Sequence, residues 1–241
     1  MNLKLPIYLV SDNHFMMSYN KNESLRINKL DELFNKIIKD QGTLIIGGDF
    51  FDFWFDYKNV IPKYYSEVLS LLNRLNKAGI EIHYILGNHD YWDFGTLNRL
   101  TGAIIHKNDF QFQIDNQEVV ITHGDGLLKN EYLYRFIKKI IRSNLFISLF
   151  RLIHPDIGCW IAKKISKTTY ETMEKNETKQ EIINQLIKKF PEHNTIFTGH
   201  YHLAGIEKKM NKKIVFMGDW INQFTVTTIT NNDCFQYSWK N

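Results

Sequence analysis

The sequence has little cysteine and no long apolar run, and each absence excludes a class of protein. Only two of the 241 residues are cysteines, Cys159 and Cys234, and they form no closely spaced pair. A scaffold held together by disulfide bonds and a structural zinc site made of thiolates are therefore excluded, and we expect a reducing, cytoplasmic compartment. The apolar stretch at residues 5–10 contains Pro6 and runs into Asp12, so it is too short for a secretory leader. No other stretch reaches the roughly 18 apolar residues that a membrane span requires.

The sequence also lacks a strong net charge, which is only +4. The electrostatic field of the whole protein is therefore too weak to indicate a nucleic-acid partner, and we expect none. The positive charge is local, because eight basic residues and one acidic residue lie between Tyr134 and Tyr170. The eight are Arg135, Lys138, Lys139, Arg142, Arg151, Lys163, Lys164 and Lys167.

The first third of the chain alternates between strand and helix patterns. Short apolar, β-prone runs at residues 7–10, 44–46 and 80–86 are separated by helical periodicity over residues 25–38 and 65–75. This β-α-β-α-β order predicts a parallel sheet with crossover helices. In such α/β sheets, ligands bind beyond the carboxyl ends of the strands.

The remainder predicts a hairpin, a helical region and closing strands. Residues 110–114 and 118–121 flank Asp115-Asn116, which is typical of a hairpin turn. Helical periodicity dominates residues 132–189, with a break at His154-Pro155 and an ambiguous polar run, loop or helix start, at residues 168–180. Residues 145–153 are apolar on nearly all sides, so we expect them to be buried or to face an apolar partner. Further strands are expected at residues 195–198, 213–217 and 225–229.

Five of the predicted strands are followed at once by residues that can bind metal ions. In chain order these residues are Asp12 and His14; Gly47, Gly48 and Asp49; Gly87, Asn88, His89 and Asp90; His123, Gly124 and Asp125; and Gly199, His200 and His202. A single histidine, such as His83 or His106, is more often an ordinary core or surface residue than a ligand. Five histidines placed after strands indicate a metal site. Mixed imidazole, carboxylate and amide ligands favour Mn²⁺, Fe²⁺ or Zn²⁺ over Ca²⁺.

In this order the five motifs resemble those of the calcineurin-like metallophosphoesterase superfamily, whose pattern is D-x-H, G-D-x-x-D, G-N-H-[DE], H-G-[DH] and G-H-x-H. The resemblance implies an α/β fold, a metallophosphoesterase β-sandwich flanked by helices. It implies a single domain over residues 1–241, with a helical insertion over the active site at about residues 127–190. It also implies two divalent metal ions, which we expect to be Mn²⁺.

The resemblance further implies a role for each motif residue. One ion would be held by Asp12, His14 and His202. The other would be held by Asn88, His123 and His200, with Asp49 bridging the pair. His89 would be catalytic, reaching the phosphoryl or leaving-group oxygen, with Asp90 orienting it. Asp52 and Asp125 either support a ligand or loop, which we favour, or contact substrate directly.

A narrower resemblance is to the UDP-2,3-diacylglucosamine diphosphatases of lipid A biosynthesis. It rests on residues 48–55, the His123-Gly124-Asp125-Gly126 turn, and the basic-apolar helices that end in Leu152-Ile153-His154-Pro155. The resemblance implies an acylated UDP-sugar substrate, hydrolysed at its pyrophosphate bond by a peripheral protein on the cytosolic face of the inner membrane. Some members carry Arg where this chain has His89. The expected substrate-binding residues are Asn88, His89, Glu131, Lys163, Lys164, Lys167 and His200.

Three questions stay open at the level of sequence. The basic-apolar helices either contact acyl chains or membrane, or form a hairpin packed on the core with a solvated basic face. The aromatic residues at positions 50–55 belong either to the core or to a substrate groove. For Gly218-Asp219-Trp220 we expect a structural turn near the site. A phosphodiesterase or nuclease acting on a soluble phosphodiester is the alternative enzyme. A non-enzymatic scaffold is opposed by the intact set of ligand residues.

Overall fold

The computed structural model describes residues 3–128, 131–161, 164, 179–231 and 233–240. Within these ranges the strands are β1 (Ile7–Val10), β2 (Thr43–Ile46), β3 (Glu81–Ile85), β4 (Ile104–His106), β5 (Phe110–Ile114), β6 (Gln117–Thr122), β7 (Thr195–Thr198), β8 (Ala204–Lys209), β9 (Lys212–Met217), β10 (Thr225–Ile229) and β11 (Cys234–Ser238). The helices are α1 (Lys21–Asp40), α2 (Ser66–Lys77), α3 (Thr96–Thr101), α4 (Tyr132–Ile141), α5 (Asn144–Phe150), α6 (residues 155–161) and α7 (Lys179–Lys189), with a 3₁₀ turn at Lys63–Tyr65.

The strands form two sheets, one with the order β11-β10-β1-β2-β3-β4 and one with the order β5-β6-β7-β9-β8. In the first sheet β1, β2 and β3 are parallel, with α1 and α2 as their crossover connections, which confirms the predicted β-α-β-α-β unit. In the second sheet β5 and β6 form the predicted hairpin. Its turn residues Asp115 and Asn116 both have positive φ, as a two-residue hairpin turn of type I′ requires.

Side chains on the two faces of β1 enter different cores, because successive residues of a strand point to opposite faces. Ile7 and Leu9 pack between the sheets against residues of the second sheet such as Phe197 and Val215. Tyr8 and Val10 join the cluster that α1 and α2 cover. Burial on both faces explains why the strand is a continuous apolar run rather than an alternating one.

The outer face of the second sheet is covered by α7. Ile182 and Leu186 of this helix pack with Val120, Ile196 and Phe216 of the sheet. The order of layers is therefore helices, sheet, sheet and helix. It agrees with the predicted β-sandwich flanked by helices. The five candidate ligand motifs follow β1, β2, β3, β6 and β7.

The aromatic residues that follow β2 belong to the core. Phe50, Phe51, Trp54 and Phe55 are almost completely buried, and Phe53 is nearly so. This decides the alternative left open by the sequence, because these rings pack on one another and on Tyr65 rather than line an open groove.

Helices α4 to α6 lie on the body of the protein through a few contacts and expose most of their apolar side chains. The indole Nε1 of Trp92 donates to the carbonyl of Ile141, and the ring of Phe150 packs against Phe53 and Phe55. Residues 145–153 are therefore buried only in part, with Ile147 covered but Leu145 72% exposed. Among the described residues, no helix is both long and apolar enough to cross a membrane.

Candidate metal centre

The candidate ligands converge although they are distant in sequence. Asp12 and His14 follow β1, Asp49 follows β2, Asn88 follows β3, His123 follows β6, and His200 and His202 follow β7. Within the first sheet β1, β2 and β3 are parallel to one another, and within the second sheet β6 and β7 are parallel, so the ligand residues of each sheet lie at the carboxyl ends of adjacent strands. All of the candidate ligands are buried or half-buried.

A first ligand group consists of Asp12, His14 and His202, whose donor atoms lie within 4.8 Å of one another. Oδ1 of Asp12 is 3.6 Å from Nε2 of His202 and 3.9 Å from Nε2 of His14. One carboxylate oxygen and two imidazole nitrogens therefore face a common point.

A second ligand group consists of Asp49, His123 and His200, which meet the same distance limit. Nε2 of His123 is 3.1 Å from Oδ2 of Asp49 and 3.2 Å from Oδ1 of Asn88. The same Oδ2 of Asp49 is 3.8 Å from Nε2 of His14 in the first group. The carboxylate of Asp49 thus lies between the two groups, which is the position that the expected bridging role requires.

The backbone of the ligand turns is held in a conformation that non-glycine residues rarely adopt. Five of the candidate ligands have φ values in the left-handed region, at 51° for Asp12, 42° for His14, 51° for Asp49, 67° for His200 and 53° for His202. Each such residue costs about 1–3 kcal/mol, and the strain persists only where surrounding contacts fix it. Strain of this kind clusters at functional sites.

Two glycines allow the turns to approach each other closely. A Cβ atom at Gly48 would overlap Nδ1 of His123, and one at Gly87 would overlap Oδ1 of Asp49. Gly48 also has a φ of 103°. Side chains at these two positions would therefore separate the ligand-bearing turns.

The chemistry of the donor set fits a divalent cation. Burial raises the pKa of Asp12. At Asp49 burial acts in the same direction, but positive charge on His123 and His89 together outweighs it and holds the pKa of the carboxyl well below its usual range. The buried carboxylates thus require a positive partner, which protonated imidazoles supply here and which a bound cation supplies equally well.

His89 lies beside both ligand groups. Its ring is edge-on to that of His14, and Nδ1 is 2.6 Å from the carbonyl oxygen of Asp52. The carboxylate of Asp90 instead accepts hydrogen bonds from the backbone N–H groups of Phe50 and Gly87 and from the hydroxyl of Tyr84. The carbonyl of Asp52, rather than the expected Asp90 side chain, therefore orients the imidazole. Asp90 fixes the turns that carry Asp49 and Asn88, and burial together with the Asp49 carboxylate raises its pKa to about 6.

Asp125 connects the turn that carries His123 to helix α4. Its carboxylate accepts a hydrogen bond from the hydroxyl of Tyr134 at 2.9 Å and forms ion pairs with Lys138 and Arg142. Its pKa is lowered because these positive charges and His123 outweigh the effect of burial. These contacts agree with the supporting role favoured for Asp125. The carboxylate of Asp52 lies next to a different ligand residue, with Oδ1 3.9 Å from Nδ1 of His14.

Two of the other expected substrate-binding residues, Glu131 and Lys164, lie on or near the helices that follow β6. The carboxylate of Glu131 accepts a hydrogen bond from the backbone N–H of Leu128 and thus closes the turn before α4. Lys164 is exposed, with Nζ 4.2 Å from the centre of the Trp160 ring. Lys163 and Lys167 lie outside the described residues, as do residues 168–178 of the ambiguous polar run.

The sequence analysis did not identify the residues that hydrogen-bond to the backbone of the first ligand group. The clearest of these is Arg26. Its guanidinium is buried and donates to backbone carbonyls of Asn13 and His14. The burial of Arg26 could have been predicted, because this residue lies on the same face of α1 as the apolar residues Leu30 and Leu33. A basic residue at such a position must find partners inside the protein.

The arrangement matches known proteins in both fold and sequence. Yfce, a phosphoesterase from E. coli, superposes with a TM-score of 0.51 at 15% identity, over 98% of this chain and 94% of that one. The fold is thus one that a phosphoesterase also has. The model of the calcineurin-like phosphoesterase family matches residues 5–229, so the chain belongs to that family. Members of the family bind divalent metals, in keeping with the two ligand groups.

Curated relatives have a more specific name. The chain is 25% identical over 240 residues to a UDP-2,3-diacylglucosamine hydrolase from Porphyromonas gingivalis, covering 91% of this chain and 92% of that protein. It is 28% identical over 168 residues to a protein of the same name from Proteus mirabilis, covering 68% and 70% of the two chains.

Proposed function

We propose that the protein hydrolyses the pyrophosphate bond of UDP-2,3-diacylglucosamine and releases UMP and 2,3-diacylglucosamine 1-phosphate. The similarity to relatives of that name over most of the chain supports this substrate. The observation that carries the proposal is the exposed apolar surface of α4 to α6, which is tied through Asp125 to the metal-binding turn at His123. A soluble phosphodiester gives no reason for such a surface beside the site.

The two ligand groups are proposed to hold two divalent ions, for which Mn²⁺ is our choice. Asp12, His14 and His202 would hold one ion. Asn88, His123 and His200 would hold the other, and Asp49 would contact both. When bound, such ions orient phosphate oxygens and neutralise the charge that develops on them during hydrolysis.

His89 is proposed as the catalytic residue that contacts the leaving group. With Nδ1 donating to the carbonyl of Asp52, the other ring nitrogen, Nε2, is left to act towards the substrate. A proton on Nε2 can hydrogen-bond to the phosphoryl or leaving-group oxygen and lower the cost of its negative charge.

The exposed apolar side chains are proposed to receive the acyl chains and to lie against the cytosolic face of the inner membrane. Those on α4 are Tyr132, Leu133, Phe136, Ile137 and Ile140, and those that follow are Leu145, Leu149, Leu152, Ile157 and Trp160. So large a group of exposed apolar residues is unusual for a surface that meets only water. Basic residues of the same helices, such as Lys139, would favour an anionic lipid surface.

The test compares three substrates with purified protein and Mn²⁺: UDP-2,3-diacylglucosamine, its deacylated analogue and a generic phosphodiester. We expect kcat/KM to be highest for the diacylated substrate by at least about 100-fold, since each CH₂ removed from water contributes about 0.8 kcal/mol. Equal rates on the acylated and deacylated sugars would contradict the lipid assignment. A preference for the generic phosphodiester would support the alternative enzyme.

A further inference from the structure

Arg26 and Gln223 hold the backbone carbonyls of two residues of the first ligand group, His14 and His202. We infer that they are positioning residues that set the affinity of this group for its ion, a role that rests on the proposed two-ion site. Asp12, His14 and His202 all have positive φ, so their turns need outside contacts to persist.

At one end, Arg26 fixes the turn that carries His14. Its side chain is only 5% exposed. One guanidinium nitrogen donates to the carbonyl of Asn13, and the other is 3.4 Å from the carbonyl of His14. Glu23 completes this contact, because its carboxylate pairs with Arg26 at 2.7 Å and accepts the backbone N–H of Met16.

At the other end, Gln223 fixes the turn that carries His202. Its side-chain nitrogen donates to the carbonyl of His202 at 2.5 Å and to the carboxylate of Asp219 at 2.6 Å. Asp219 is itself held, since its Oδ1 accepts the backbone N–H groups of residues 221–223. The amide of Gln223 is therefore held in one position rather than free to rotate.

Residues 218–223, which we call the clamp loop, join the two ends. Trp220 is fully buried, and its Nε1 donates to the carbonyl of Arg26 while Nε of Arg26 donates to the carbonyl of Trp220, both at 3.1 Å. The backbone N–H of Trp220 donates to the carbonyl of Asp12 at 3.2 Å. Each residue of the first ligand group thus has its carbonyl held by Arg26 or by the clamp loop.

The second ligand group is supported differently. Nδ1 of His123 lies 3.0 Å from the carbonyl of Gly47, and the backbone N–H of His200 donates to the carboxylate of Asp12. In the part of the chain that the structure describes, no hydrogen bond of Arg26 or Gln223 reaches His123, His200 or Asn88. Loss of the clamp should therefore weaken one ion and spare the other.

The test is a calorimetric titration of metal-free protein with Mn²⁺, which needs no substrate. Gln223→Met keeps the size of the side chain but removes its donor. Gln236→Met is the matched control, because the amide of Gln236 also donates to a backbone carbonyl, that of Phe216, which is not a ligand residue. Arg26→Lys is the second variant, since it keeps the charge but loses the planar fork that reaches several carbonyls. The thermal midpoint of each metal-free protein is measured as well.

We expect two ions in the wild type and in Gln236→Met with the same affinities. In Gln223→Met and Arg26→Lys we expect one affinity to fall by about 10-fold or more and the other to stay unchanged. Unchanged affinities in both variants, or an equal loss at both sites, would overturn this inference but not the proposed two-ion site. A wild type that does not bind two ions would instead overturn the proposed two-ion site.

Discussion

Nδ1 of His89 lies 2.6 Å from the backbone carbonyl of Asp52, and this contact determines which ring nitrogen can act on a substrate. A carbonyl oxygen only accepts, so Nδ1 carries a proton and Nε2 is the nitrogen available to the site. The backbone N–H of His89 also donates to Oδ1 of Asp49 at 2.8 Å. His89 is therefore fixed relative to Asp49 through both its backbone and its ring.

Replacement of His89 by alanine should lower turnover without emptying the metal site. We expect kcat to fall by about 100- to 1,000-fold, the usual contribution of a positioned acid or base, with two Mn²⁺ ions still bound. Activity assays combined with elemental analysis measure both quantities. Loss of an ion would mean that His89 is a ligand together with His14 and Asp49, a grouping that the distances also allow.

Replacement of Asp49 by alanine should remove activity and weaken both ions together, because its carboxylate lies between the two ligand groups. Metal titration and activity are measured on the same preparation. Asp31→Ala is the control, since Asp31 pairs with Arg74 on the surface and touches neither group. If Asp49→Ala loses only one ion, the bridging role is wrong.

Replacement of Asp125 by asparagine should loosen α4. The variant keeps the shape but loses the charge that holds Lys138 and Arg142. We expect trypsin to cleave within α4 at least about 5-fold faster, and KM for the acylated substrate to rise by about 10-fold, with both ions retained. Asp156→Asn, which changes an almost fully exposed carboxylate in α6, serves as the control. Equal cleavage rates in the two variants would contradict an anchoring role for Asp125.

Replacement of Leu145 and Leu152 by serine should reduce the preference for acylated substrate. Both side chains are exposed, Leu145 on α5 and Leu152 just after it. Covering a leucine side chain contributes about 1.5–3 kcal/mol, so we expect kcat/KM to fall by about 10-fold or more per substitution for the diacyl sugar and to stay unchanged for its deacylated analogue. Met210→Ser changes a side chain that is 74% exposed on a distant hairpin and should have no effect. Equal effects of all three would contradict an acyl-binding role.

His106 should make stability depend on pH. Burial lowers its pKa to about 4 from an ordinary 6.5, and its Nε2 lies 2.9 Å from Nδ1 of His83. Between these pH values the unfolded chain binds a proton that the folded protein does not, so stability falls as pH falls from about 6.5 to about 4. His106→Phe removes this contribution.

Urea unfolding of the metal-free proteins at pH 7 and pH 5 measures the effect. After allowance for solvent screening of a half-buried group, we expect the wild type to lose about 1 kcal/mol more than His106→Phe over this interval. The same loss in both proteins would show that His106 is not the source.

The sequence predicted the central strands and the ligand turns because their signals are local. A strand that is buried on both faces is apolar throughout, as β1 is. The polar residues Asp12 and His14, which follow β1, show where it ends. The edge strands β8 and β11 were missed, because one face of each meets solvent and their residues include many polar ones. The short helix α3 was missed because six residues give too little periodicity.

Contacts between distant parts of the chain could not be predicted in the same way. The hydrogen bond between Gln223 and the carbonyl of His202 has no sequence signature, since a glutamine side chain bonds backbone wherever the fold brings one near. The exposure of Leu145 was equally hidden, because an apolar helix has the same sequence whether it is packed inside the protein or faces outward. The left-handed φ values of the ligands were not predicted either, because Asp and His are enriched in that region but most of them do not adopt it.

Both ligand groups depend on the turn that follows β7, which supplies His200 to one and His202 to the other. A chain still emerging from the ribosome, with β1 to β6 already made, therefore has neither group complete. His200 and His202 lie more than four-fifths of the way along the 241 residues, so a product that terminates before them lacks a ligand residue of both groups.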